Sequence, residues 1–161
     1  MSKKSKSLKN LQTALAMELT ASHQYLLHAH LLEDWGLDKL ASKMREEVQE
    51  ELGHASSFIE RILFLGGDPK VSEEKAATRA KSLKEMFESD LTEERNAIAF
   101  YTQAVIEATE EGDIGTRKLF ENIVLDEEGH ADWLSLQLDL LERMGEPNFI
   151  AKYHSGMSGK E

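Results

Sequence analysis

The sequence predicts an all-α fold: a four-helix bundle with a long crossover between the second and third helices and a short helix at the C-terminal end. Three observations predict it. Apolar residues recur at alternating steps of three and four, not two, in four separate segments. Glycines and both prolines fall between those segments, where helices stop. The connections are short inside each half of the chain and long in the middle.

The first helix, about residues 7–34, aligns Leu8, Leu11, Leu15, Glu18, Ser22, Tyr25, Ala29 and Leu32 in one row, and Gly36 turns the chain back within a few residues. The second, about 37–65, aligns Leu37, Leu40, Met44, Val48, Glu51, Ala55, Phe58, Ile62 and Leu65 before Gly66, Gly67 and Pro69. Residues 66–81 follow without a helical pattern. Extended at ~3.3 Å per residue they span roughly 50 Å, enough to run the length of the bundle and start the third helix parallel to the second. The third helix, about 83–111, opens with a capping box of Ser82 and Glu85 and aligns Leu83, Phe87, Leu91, Glu94, Ile98, Tyr101, Val105 and Ala108. Gly112 separates it from the fourth, about 114–144, whose row reads Phe120, Ile123, Glu127, Ala131, Leu134, Leu138 and Leu141. Gly145 and Pro147 then lead into a short helix at about 147–154. Each long helix is about 40 Å at ~1.5 Å per residue and cannot bury its row alone, so the two hairpins pack together as one domain over residues 1–161.

Composition narrows the chemistry. Nineteen Lys and Arg against 30 Asp and Glu leave a net charge of −11, which repels phosphate backbones and anionic membranes and attracts cations, so neither nucleic acid nor membrane is an expected partner. The basic group Lys3, Lys4, Lys6 and Lys9 reads as a solvated terminus. No apolar run reaches the roughly 18 residues of a membrane span and no signal-type stretch opens the chain, so a soluble cytoplasmic protein is expected. The absence of Cys excludes thiolate metal sites and disulfides, leaving any metal to His and carboxylates.

Every apolar row contains one Glu: Glu18, Glu51, Glu94 and Glu127. Burying a lone carboxylate costs several kcal/mol, so four at mid-helix demand a reason. Two are followed by His three residues later, Glu51 by His54 and Glu127 by His130, which puts an oxygen and a nitrogen on one helix face within about 6 Å. The register is the stronger signal. The intervals 51−18 and 127−94 are both 33, and 94−18, 127−51, 130−54 and 101−25 are all 76. The chain is thus an internal repeat of a helical hairpin, and packing two hairpins about a pseudo-twofold axis brings four Glu and two His to the centre. Four carboxylates balance two divalent cations, and oxygen with imidazole suits Fe or Mn. Two ions held about 3.5–4 Å apart can each give one electron to an oxidant between them.

These residues carry a resemblance. The stretches Glu18-Leu19-Thr20-Ala21 with Gln24-Tyr25, Asp34-Trp35-Gly36-Leu37, His54-Ala55, Ile59-Glu60-Arg61-Ile62-Leu63-Phe64-Leu65 and Asp126-Glu127-Glu128-Gly129-His130 with Asp132-Trp133-Leu134 resemble bacterioferritin, over nearly the whole chain. The resemblance implies a ferritin-like bundle, a shell of 24 subunits, and oxidation of Fe(II) by O2 or H2O2 at two iron ions per subunit, with ferric mineral stored inside. It implies Glu18, Glu51, His54, Glu94, Glu127 and His130 as ligands, with Glu51 and Glu127 as bridges. Tyr25, two turns from Glu18, is a candidate to bond a ligand or donate an electron, with Tyr101 in the repeated position. Trp133 reads as packing, with electron transfer as the family's alternative, and Glu47 and Glu50 read as solvated carboxylates or as guides for iron. One position departs: the family binds haem b through a methionine directly after the first bridging Glu, and here that residue is Leu52, which has no lone pair for iron. Little or no haem is therefore expected, unless the chain shares a mixed shell with a subunit that supplies the methionine. Met44, Met17 and Met86 are the nearest other sulfurs and read as core filler. His23, His28, His30 and His154 show no partner spacing and receive no role.

Two rival readings remain at the level of sequence. One is a di-iron or manganese oxidase or peroxidase of rubrerythrin type that stores nothing, and the other is a metal-free interaction bundle whose buried carboxylates merely weaken the fold.

Overall fold

The computed structural model describes residues 4–154, so Lys3 of the basic terminus lies outside the described residues. Five helices follow in order: α1 Ser5–Asp34, α2 Asp38–Phe64, α3 Leu83–Glu110, α4 Ile114–Met144 and α5 Glu146–Tyr153. No strand occurs among the described residues. The longest helix, α4, has 31 residues and spans about 46 Å at ~1.5 Å per residue.

Gly36, Gly66, Gly112 and Gly145 end the four long helices with φ between 67° and 78°. A left-handed backbone there costs glycine nothing and any residue with a Cβ about 1 kcal/mol or more. Ser82 caps α3, its hydroxyl accepting from Glu85 N at 3.1 Å. The Glu85 carboxylate returns to Lys81 N at 3.3 Å, one residue ahead of the cap itself. Asp113 caps α4 by accepting from Thr116 N at 3.2 Å, and also takes Arg61 of α2 at 2.6 Å. That pair ties the end of one hairpin to the turn of the other.

The apolar rows meet in two clusters. One joins the C-terminal half of α1 to the N-terminal halves of α2 and α3 and the end of α4, around Leu40, Met44, Phe87 and Leu134. The other joins the opposite halves around Leu15, Phe58, Tyr101 and Phe120. Only a parallel α2 and α3 put their like ends in the same cluster. α5 closes the first cluster with Phe149, fully buried and edge-on to Phe87 at a centroid distance of 6.1 Å.

The crossover runs along α1 and is pinned to it in step. Gln12 exchanges two hydrogen bonds of 2.9 Å with the Lys70 backbone, Thr20 Oγ1 accepts from Glu74 N at 2.8 Å, and Gln24 exchanges two of 2.9 Å with the Thr78 backbone. Backbone groups of a segment with no secondary structure thus find partners on side chains spaced along one helix.

The N-terminus differs from the expected solvated tail. α1 starts at Ser5, Lys4 reaches Asp113 at 3.7 Å, and Lys6 reaches Glu110 at 3.2 Å. The acidic turn after α3 attracts these cations and draws the terminus into the helix. No helix among the described residues is long and apolar enough to cross a membrane.

Candidate metal centre

Between the two apolar clusters lies a belt of charge. Glu18 on α1, Glu51 and His54 on α2, Glu94 on α3, and Glu127 and His130 on α4 are all buried, none more than 7% exposed. Each sits in its helix where the next inward residue would be Leu or Ala, so the same periodicity that builds the core aims the six side chains at one point.

They form two overlapping groups whose ligand atoms lie within 4.8 Å of one another: Glu18, Glu51, His54 and Glu127, and Glu51, Glu94, Glu127 and His130. Glu51 and Glu127 belong to both. His54 Nδ1 stands 3.0 Å from Glu127 Oε1 and 3.6 Å from Glu18 Oε1. His130 Nδ1 stands 3.2 Å from Glu51 Oε1 and 3.6 Å from Glu94 Oε1. The far nitrogens are held by carboxylates: His54 Nε2 bonds Asp126 at 2.9 Å, while His130 Nε2 bonds Glu50 and lies 2.8 Å from Glu47. Such partners orient an imidazole and raise its basicity toward a metal.

The donor set fits a pair of divalent ions. Among the described residues, ten buried side-chain polar atoms lack a hydrogen bond of ordinary geometry, and seven belong to these six residues: Glu18 Oε2, Glu51 Oε1, His54 Nδ1, Glu94 Oε2, both oxygens of Glu127 and His130 Nδ1. Buried polar atoms are otherwise almost always satisfied. The seven atoms share one volume and all belong to metal-ligating side chains.

The groups perturb one another strongly. Burial, then the Glu18 charge, pushes Glu51 well above the usual carboxylate range. Burial, then the approach of Glu127, does the same to Glu94. Burial also acts to raise Glu127, but Glu94, His130 and His54 outweigh it and hold that group below its ordinary value. Burial disfavours a charged His54, yet Glu127 and Glu18 overcome this and lift it to about 11. His130 is lifted further, by Glu127, Glu47, Glu51 and Glu94 against the same burial.

Two tyrosines bracket the belt. Tyr25 donates its hydroxyl to Glu94 Oε1, and Tyr101 donates to Glu18 Oε1 at 2.6 Å. Each reaches across to the other hairpin, as a pseudo-twofold axis requires. Burial first, and the neighbouring carboxylates after it, push both phenols well above 10, so both stay protonated donors. Trp133 packs edge-on to Phe87 at 6.1 Å with Lys43 above it. Met44 and Met86 are fully buried in the core, whereas Met17 lines a cavity beside the site. Leu52 is 41% exposed, on the outside of the bundle.

Two expectations need correction. Glu47 is not solvated: it is 3% exposed, paired with Lys43 at 2.9 Å, and forms a third ligand-type group with Glu50 and His130. His28 does have a partner: it is buried and its Nδ1 bonds Asp90 at 2.9 Å. No spacing rule finds that pair, because its residues lie 62 apart on α1 and α3. The visible signal was weaker, His28 three residues after Tyr25 and Asp90 four before Glu94 on the same inward faces. His23 meets Glu73 of the crossover at 2.5 Å and His30 lies 3.9 Å from Glu33.

Comparison with known proteins agrees with this geometry. A ferritin-like domain profile matches residues 8–144. A bacterioferritin of Rhodobacter capsulatus is 42% identical over 156 residues, covering 97% of each chain. The chain belongs to the bacterioferritin family. A second relative, a bacterioferritin of Brucella melitensis, is 41% identical over 144 residues and 89% of each chain. Among solved structures, Rhodobacter capsulatus bacterioferritin superimposes with a TM-score of 0.94 at 40% identity, covering 99% of each chain, and is described as having a metal-free dinuclear site and a haem iron in a crystallographic special position. A bacterioferritin of Mycobacterium tuberculosis superimposes at 0.92 with 34% identity over 96% of this chain and 98% of that one.

Proposed function

We infer that the protein is an iron-storage subunit whose bundle centre oxidises Fe(II), with Glu18, Glu51, His54, Glu94, Glu127 and His130 as the ligands. The carrying observation is that two four-residue groups overlap in Glu51 and Glu127, which is what two ions sharing bridging carboxylates require. When loaded with two Fe(II), the centre supplies two electrons, which with two protons turn O2 into H2O2, or H2O2 into two waters. Around that event the chain's own residues position and neutralise. Asp126 and Glu50 hold the two imidazoles with Nδ1 inward. Tyr25 and Tyr101 fix one oxygen each of Glu94 and Glu18, leaving the other for metal. Glu47 and Glu50 lie against His130 and form the next station for iron leaving the centre.

Likeness to the family supports a closed shell of 24 subunits in the cytoplasm, filled with ferric mineral. Leu52 supports a shell poor in haem, or a mixed shell whose second subunit brings the methionine. The absorbance of the purified protein should show no stoichiometric Soret band.

Stopped-flow absorbance after about two Fe(II) per subunit, with and without prior Zn(II), tests the reading on protein sized by light scattering. A fast phase that saturates near two irons and is blocked by Zn(II) is expected. Glu127→Ala removes a shared ligand and leaves three carboxylates against two cations, so it should lose at least nine-tenths of the fast rate, roughly a tenfold effect for one ligand. A wild-type rate in that variant would refute the assignment, and a small oligomer would leave an oxidase that stores nothing.

A further inference from the structure

A cavity of about 140 Å³ lies between α1, α3 and the crossover. Its buried end is walled by Glu18, Glu51, Glu94 and Glu127, and its outer end by Glu74, Lys75, Glu93 and Thr78, all exposed. Asp90, also buried, lines the same cavity. The two ends meet different needs. Inside, Glu18 Oε2 and Glu94 Oε2 have no partner. Outside, Glu93 already holds a cation, since Lys75 Nζ of the crossover lies 2.9 Å from its Oε1.

The repeat makes the middle of this path informative. A shift of 76 carries every ligand onto a ligand, but it carries His28 onto Ala104 and Ala14 onto Asp90. The His28–Asp90 pair therefore exists on one side of the bundle alone, the side the crossover covers. Its protonation pattern follows from the clasp above it. Gln24 Oε1 accepts from Thr78 N, so its Nε2 is the donor, and that nitrogen bonds both Thr78 O and, at 2.8 Å, His28 Nε2. His28 Nε2 is then an acceptor, and Nδ1–H donates to Asp90 Oδ2. The imidazole thus fixes Asp90 in place through its Nδ1–H.

We propose that the divalent cation substrate reaches the four-carboxylate centre through this cavity, that Asp90, positioned by His28, is its intermediate station, and that the Lys75–Glu93 pair regulates access at the mouth. This rests on the metal-centre reading above. Both partners at the mouth are half exposed, so their bond is weak and exchangeable. A divalent ion arriving at Glu93 displaces the ammonium, and the next carboxylates inward draw it on. Reversing the Lys75 charge should speed uptake of a doubly charged ion several-fold at 0.1 M salt, about fivefold for a closest approach of ~8 Å where the Debye length is ~10 Å, and hardly at all near 1 M.

Co(II) is the probe, because its ligand-field absorbance reports arrival at the centre without oxidation. Uptake is followed by stopped flow on the full chain in its native assembly, for wild type, K75E, K75A and D90N. The expected pattern is faster uptake in K75E than in K75A and in K75A than in wild type, slower uptake in D90N, and the same final two Co(II) per chain. The salt effect must shrink the Lys75 differences. Equal uptake rates in wild type, K75E and D90N at low salt would overturn the route while leaving the centre intact. Failure of wild type to bind Co(II), or retention of the full Co(II) spectrum in Glu127→Ala, would overturn the metal-centre reading and the route with it. Lys75 is exposed, so its variants fold whether or not D90N does.

Discussion

Loading the centre with two divalent ions should expel at least two protons. In the metal-free protein Glu51 and Glu94 are pushed well above the usual carboxylate range, first by burial and then by their carboxylate neighbours. His54, lifted to about 11, and His130, lifted further, hold one each. Metal ligation needs carboxylates and bare Nδ1 lone pairs, so both imidazole protons must leave, with any that the two raised carboxyls hold, as the cations enter. The departing protons offset incoming charge, which eases the filling and emptying of a buried site in a low dielectric. The sign is fixed by the shifts: each raised group favours its protonated, metal-free form, so affinity falls as pH falls. The two imidazole protons alone mean about one per ion, and each proton is worth ~1.36 kcal/mol per pH unit, so binding of each ion should weaken by at least about tenfold per unit. Titration calorimetry with Zn(II) at pH 7 in two buffers of different protonation enthalpy gives the count directly. Release of fewer than about one proton per ion would refute the reasoning.

Two further outcomes concern the frame that holds the site. Phe120 is fully buried, with ring centroids 5.4 Å from Phe58 and 5.5 Å from Tyr101, so Phe120→Ala should cost about 3–5 kcal/mol in chemical denaturation of the metal-free protein, and a loss below about 1 kcal/mol would show that the cluster repacks. Asp113 caps α4 and pairs with Arg61, and although burial acts to raise it, the Thr116 bonds and Arg61 hold it below its ordinary value. Its contribution is therefore present above the unfolded value near 3.9 and lost as pH falls through the folded one. Asp113→Ala should cost about 2–4 kcal/mol at pH 7, and its denaturation midpoint should vary less than wild type's below about pH 4.

Most of the fold was legible because it rests on local rules. The period of Leu8, Leu11 and Leu15, the glycines at the four helix ends and the box of Ser82 and Glu85 each act within a few residues. The crossover was legible only as a length. That Gln12, Thr20 and Gln24 hold Lys70, Glu74 and Thr78 depends on how far the chain climbs between contacts, which no local rule states. The fate of Lys4 and Lys6 was hidden for the same reason, since Asp113 and Glu110 stand more than 100 residues away.

The six ligand-type residues were legible for a different reason, and its failure is instructive. Pseudo-twofold symmetry forces each hairpin to supply the same atoms, so a shift of 76 finds Glu94 from Glu18 and His130 from His54, and it also finds Asp126 from Glu50, the two carboxylates that hold the imidazoles. The rule is blind wherever the two halves differ, as at Glu47 against Ile123, His28 against Ala104 and Asp90 against Ala14. All three polar members of those pairs are buried, and burial of a polar group without a symmetric twin carries the same cost as burial of a ligand. The symmetric residues serve what both ions need. On the proposed route the asymmetric ones serve what happens once per chain, the arrival of a cation from one side and its departure by another, and a directed path through a symmetric site can be built only by breaking the symmetry.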